Sequence, residues 1–146
     1  MPTAPKLVGA ILFFGVAWVA ALSVLDTLPE ETPARYFPLS IAVIGFWQGW
    51  VVAGGHAGEG MRAAIGTGIR VSVQIAFFGL LLHALRTMFI RSSRLLYDGP
   101  GEAAIAAMEL FLEYLLQSMT VPIWGTLIGG GIIAGLLVEW SSRRWR

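Results

Sequence analysis

The chain has 146 residues, of which 56% are hydrophobic and 13% charged, and its mean hydropathy is +0.72. So much apolar surface cannot be hidden in one small soluble core, because a chain of this size leaves a large part of its surface exposed; a bilayer resolves the conflict by acting as solvent for that surface. A formal net charge of +1 argues against binding nucleic acid, and the lack of cysteine excludes disulfides, thiolate metal sites, cysteine nucleophiles and thiol redox chemistry.

In chain order, the first apolar run is Leu7 to Leu25, 19 residues without a charge. At 1.5 Å per residue it is about 28 Å long, close to the hydrocarbon thickness of a bilayer. Lys6 gives it a basic flank and Val19-Ala20-Ala21 resembles a cleavage context, but a signal core is usually ~7–15 residues, so a retained helix (7–25) is expected. Asp26 to Pro38 is a polar connection, with Glu30, Glu31 and Arg35 among three prolines, Pro29, Pro33 and Pro38. A second apolar run covers 39–55; Pro38 suits its first turn, and Trp47 and Trp50 suit the far interface.

Gly54, Gly55, Gly58 and Gly60 mark a loop that also holds His56, Glu59 and Arg62. A third crossing is expected over 63–90, ending in the basic group Arg86, Arg91 and Arg94, and Tyr97-Asp98-Gly99-Pro100 is a turn signal. Residues 102–117 have helical periodicity. Glu102, Glu109, Glu113 and Gln117 fall on one stripe and leucines and other apolar residues on the rest, which predicts an amphipathic helix lying in the interface or packed on the bundle. Residues 119–138 form a last apolar run, followed by Arg143, Arg144 and Arg146 with Trp140 and Trp145 as interfacial anchors. The expected fold is an all-α membrane protein: one transmembrane domain over 1–146, with about four transmembrane helices plus one amphipathic helix before the last. The basic residues favour a cytoplasmic N-terminus and C-terminus by five to four, with Arg86, Arg91 and Arg94 weighing against that choice.

Few constellations could carry chemistry. Gly45-x-x-x-Gly49, Gly125-x-x-x-Gly129 and Gly131-x-x-x-Gly135 are small-residue pairs that let helices approach closely, either within this bundle or against a partner or a second copy. Gly129-Gly130-Gly131 lacks the Gly-Lys-Ser/Thr ending of a phosphate loop, and Gly58-x-Gly60-x-x-Ala63 joins two membrane helices instead of opening a βαβ unit. Arg70, with Gln74 one turn on, is an intramembrane charge and so a candidate ion or pairing position. At about 10 Å from the start of its helix it can also snorkel to the headgroups. Glu109 and Glu113, spaced i,i+4, could share a cation, or simply form a polar stripe facing water or the nearby arginines. His56 lies in the loop before the third helix and His83 near that helix's opposite end, with Ile65 to His83 alone spanning about 27 Å along its axis, so they cannot hold one haem within one subunit. No cofactor, metal or catalytic residue is expected, and no Ser/His/Asp set has recognisable spacing.

The start Met1-Pro2-Thr3-Ala4-Pro5-Lys6-Leu7, the segment Tyr97-Asp98-Gly99-Pro100 with Glu102-Ala103, and the ending Leu136-Leu137-Val138-Glu139-Trp140 with Arg143-Arg144-Trp145-Arg146 resemble the bacterial tellurite-resistance protein TrgA family. The resemblance runs over essentially the whole chain and matches its length; Gly101 departs from the bulkier apolar residue expected there. It implies a small, non-enzymatic inner-membrane protein of alphaproteobacterial type that contributes to tellurite tolerance, with no catalytic residues to carry over. The alternative is an accessory structural subunit of a larger respiratory or photosynthetic membrane complex, for which the glycine-rich faces, six Trp and eight Phe are suited.

Overall fold

The uncharged run after Lys6 forms α1, Ala4–Leu25, entered through Pro5 in its first turn. It stops at Thr27, whose N–H and Oγ1 both donate to the Val24 carbonyl. The chain resumes in α2, Phe37–Gln48, which passes without a break into a π-helical turn, Gly49–Ala53. Here Gly54 N–H reaches back five residues to the Gly49 carbonyl. Helix α3 is Met61–Ser93, α4 is Pro100–Ser118 and α5 is Val121–Arg144. The computed structural model describes residues 3–27 and 35–145. The first two residues, the Pro29, Glu30, Glu31 and Pro33 portion of the polar connection, and Arg146 lie outside the described residues.

The described residues are helical with turns between, and three helices (α1, α3 and α5) are long and apolar enough to cross a membrane. This count differs from the four read from the sequence. The run expected as the second crossing is shorter, Phe37–Ala53, and is split between α and π geometry. The other ends also shift: α3 runs past the expected 63–90 at both ends, and α5 starts two residues after the expected 119 and runs past 138 to Arg144.

Helix α1 packs on α2 and α5, and α3 packs on α5 and α2, so the four form a closed ring. Neighbours run antiparallel: Gly49 meets Gly9 and Gly45 meets Phe13 and Ala17, while Gly135 meets Ala64 and Gly131 meets Gly68 and Ser72. The core they enclose is mostly small and aliphatic, with Ala17, Val71, Ile75, Ala134 and Val138 beside the rings of Phe13 and Phe37. Ser72 Oγ spans α3 and α5 to the Leu127 carbonyl. Helix α4 stands outside the ring against α3, and of its residues Leu110 alone is buried. Ile105, Met108, Leu112 and Leu116 form an exposed apolar stripe beside the exposed Glu109, Glu113 and Gln117, the face pattern of a helix lying at a membrane boundary.

At 33 residues, α3 is about 50 Å long, well beyond a bilayer. It ends in a Schellman pair, Leu95 N–H to the Ser92 carbonyl and Leu96 N–H to the Arg91 carbonyl. The left-handed position of this motif normally takes glycine, but here it is Leu95, at φ 57° and almost fully exposed. Its side chain gains little packing to offset the strain. Leu95→Gly is therefore expected to leave the fold intact and raise its stability by up to about 1 kcal/mol, read as a later midpoint in detergent unfolding; a lower midpoint would contradict this account.

Candidate functional site

Where α1 ends, α2 begins, α4 ends and α5 begins, the side chains leave a chamber of about 160 Å³ against the middle of α3. Small residues, Ala20 and Ala21 of α1 and Ala76 and Gly79 of α3, keep it open, and Ile41, Ile75, Ile123 and Leu127 supply its aliphatic wall. Its aromatic side is ordered. The Phe37 ring stacks on the His83 imidazole with centroids 4.2 Å apart and planes 5° from parallel. Tyr114 from α4 lies near His83 and its hydroxyl is 2.9 Å from Thr87 Oγ1. Trp124 of α5 completes the wall. The lining residues that reach the surface are Thr27, Arg86 and Gln117, which form its rim.

Chemically the lining is apolar with donors. Among the described residues, Arg86 is the one formal cation in the lining, and no carboxylate lines it. Trp124 Nε1–H is buried and has no hydrogen-bond partner among the described residues. A chamber of this kind favours a small, largely apolar body.

None of the positions singled out for charge lines this chamber. Arg70 is exposed on the outside of α3; Gln74 is half-buried, and its Oε1 has no partner among the described residues. Glu109 and Glu113 are exposed on α4 and are not brought to Arg70. Among the described residues the one ion pair is Glu139–Arg143, and no group of three or more His, Asp or Glu side chains could hold a metal ion. Glu102 acts locally, since its Oε2 accepts from Asp98 N–H, 2.9 Å away, tying the turn before α4 to its first turn. The histidines lie at opposite ends of the ring. His56 Nδ1 is 2.8 Å from the Val52 carbonyl, and His83 is in the chamber wall.

The glycine pairs divide. A Cβ on Gly45 or Gly49 would strike the backbone of α1, and one on Gly131 or Gly135 the backbone of α3, whereas Gly125 and Gly129 face open space. Their partners Gly9 and Gly68 were not singled out. Gly68 had a signal, the small-residue series Ala64, Gly68 and Ser72 at spacing four.

Sequence reading also missed Glu139, a buried carboxylate at the far end of α5. Its Oε2 accepts Gly58 N–H at 2.7 Å, and its Oε1 accepts Gly60 N–H at 3.2 Å and Arg143 Nε–H at 3.1 Å. Gly58 and Gly60 have φ of 99° and 107°, conformations that turn both N–H groups inward and that other residues rarely adopt. Gly60 is the N-cap of α3, so the carboxylate also sits at the positive end of that helix. This clamp is structural and lies at the opposite end from the chamber. Compared with known protein families, with curated proteins and with solved structures, the chain matches none.

Proposed function

We propose that the chain is a non-enzymatic, multi-pass protein of the bacterial inner membrane that contributes to tolerance of oxyanion stress of the tellurite kind. The observation that best supports an anion-facing role is Arg86 on the chamber rim, with Arg91 and Arg94 exposed just beyond it on α3. These cations raise the local concentration of anions at that end of the bundle. The alphaproteobacterial family resemblance supplies the tellurite context. In this reading Phe37–Ala53 is a fourth crossing: at 17 residues it is about 26 Å long, and its glycines follow α1 from Ala17 back to Gly9. With both termini cytoplasmic, the chamber and the arginines face the periplasm, where tellurite arrives.

The test is growth. Deleting the chain is expected to lower the inhibitory tellurite concentration several-fold. Replacing Arg86, Arg91 and Arg94 together by Gln, at equal membrane expression, is expected to reproduce most of that loss. Unchanged tolerance in both strains ends this reading; unchanged tolerance in the triple variant alone removes the arginines from it.

One observation favours a second reading, an accessory structural subunit of a larger respiratory or photosynthetic complex. Gly125 and Gly129 have the spacing of a helix-packing pair, but a Cβ on either would meet nothing within 4 Å among the described residues. Solitary migration in mild detergent, as a monomer or small homo-oligomer, would exclude it.

A further inference from the structure

We infer that the exposed face of α3 around Arg70 docks a transmembrane helix of another protein, and that Arg70 pairs there with a carboxylate carried by that helix at the same depth. The inference rests on the accessory-subunit reading and assigns it a contact. Depth comes first. Gly68 packs on Gly131 and Ser72 Oγ reaches the Leu127 carbonyl, so Arg70 is level with Gly129 of the antiparallel α5. Gly129 is the middle of the uncharged run 119–138, about 14 Å from either end. In a hydrocarbon layer about 30 Å thick this is the midplane, deeper than an arginine side chain can snorkel from. Arg70 is nonetheless exposed on the outside of α3 and has no ion-pair partner among the described residues. A charge facing lipid at that depth is a costly placement; intramembrane charges normally face a protein interior and pair.

The surrounding face selects a helix. Gly66, Arg70, Val73 and Phe77 are all exposed and follow one another at spacings of four, three and four, one stripe of α3. A Cβ on Gly66 would meet nothing within 4 Å, so a second backbone can come close one turn from Arg70. The charge selects the partner's side chain. A guanidinium presents a fork of donors that a carboxylate meets bidentately, and in lipid neither charge is stable alone. A second copy does not supply the carboxylate. In a pair related by an axis along the membrane normal, equal residues share one depth, and Arg70 would approach like charge. Glu109 and Glu113 flank Phe111, whose ring meets Phe77, about 10 Å along α3 from Arg70. Glu30 and Glu31 belong to the segment 28–34, anchored at Thr27 in the chamber wall and at Arg35, two residues before Phe37. Phe37 stacks on His83, about 20 Å along α3 from Arg70, a distance that so short a segment cannot cover out and back.

The experiment uses the full chain in its native membranes. The photo-crosslinker p-benzoylphenylalanine replaces Val73, one turn from Arg70, and the cross-linked peptide is identified by mass spectrometry. The expected product is a transmembrane segment of another protein with Asp or Glu near its middle. Arg70→Leu should lower the yield of that product roughly tenfold or more, because it leaves the partner's carboxylate buried and unpaired. Arg70→Glu should do the same, and changing the partner's carboxylate to Arg in that strain should restore the product. In nanodiscs the isolated Arg70→Leu chain should melt no lower than the native one, which separates loss of the partner from loss of the fold. Cross-links to lipid alone, to a second copy or to a segment without a carboxylate overturn the assignment, as does an undiminished product in Arg70→Leu. If Arg70→Leu melts lower, the charge exchange decides. Solitary migration of the native chain ends the accessory-subunit reading together with this contact; a complex that survives Arg70→Leu ends the contact alone.

Discussion

Replacing Glu139 by alanine is expected to destabilise the fold by about 2–3 kcal/mol, far more than an interfacial carboxylate normally contributes. The carboxylate is 2% exposed and accepts three hydrogen bonds, two of them from backbone N–H groups. Removing it strands those donors at the point where α5, the glycine loop and the start of α3 meet. The partners are unequal. The Arg143 side chain is 55% exposed, so water replaces much of what it gives, and Arg143→Ala should cost under about 1 kcal/mol. Glu139→Gln should fall between, because its amide can accept one loop N–H but turns its NH₂ toward the other. Denaturation in mixed detergent micelles measures the order Glu139→Ala, Glu139→Gln, Arg143→Ala. Hydrogen exchange adds a local readout: the amides of Gly58 and Gly60 should lose protection in the alanine variant. If Arg143→Ala proves as costly as Glu139→Ala, the clamp is an ion pair and the backbone donors are incidental.

Glu139 also shows where sequence reading stops. It follows an apolar run and precedes two arginines, so by pattern it is one more charge at a membrane boundary. Its partners are main-chain groups about 80 residues away, and no residue type advertises them. The chamber was hidden for the same reason. It is an uneven remainder of five helices meeting at one end, and Ala21, His83, Tyr114 and Trp124 share no spacing. Long apolar runs were legible because lipid demands them locally: 7–25 and 119–138 required only hydropathy and length. The run at 39–55 was legible as apolar, but its π turn at Gly49–Ala53 and its start two residues earlier were not. Arg70 was visible as a charge inside an apolar pattern. Its direction depends on which face of α3 meets α5, and Gly68 and Ser72 decide that by their lack of bulk, leaving Arg70 outside.

Glycine packing gives the sharpest contrast, because one sequence pattern occurs twice on α5 with opposite surroundings. Gly131→Val is expected to cost about 3 kcal/mol or more, at the upper end for overpacking a close contact. The new Cβ would meet Ser72 Oγ and the Gly68 carbonyl, and Gly135 one turn on faces the Ala64 carbonyl. Backbone cannot swing aside as a flexible side chain can, so α3 and α5 must separate and the Ser72 bond to Leu127 breaks with them. In lipid that loss is hard to recover, since close packing and interhelical hydrogen bonds are what hold helices together there. Gly125→Val and Gly129→Val place the same group in open space and should leave the unfolding midpoint of the isolated chain within about 0.5 kcal/mol. In native membranes the two readings of function then diverge. If Gly129→Val leaves the isolated chain stable but abolishes co-migration with a larger complex, the open face of α5 is a subunit interface. If the variant also destabilises the isolated chain as Gly131→Val does, Gly129 is not open, and its face of α5 packs within the bundle.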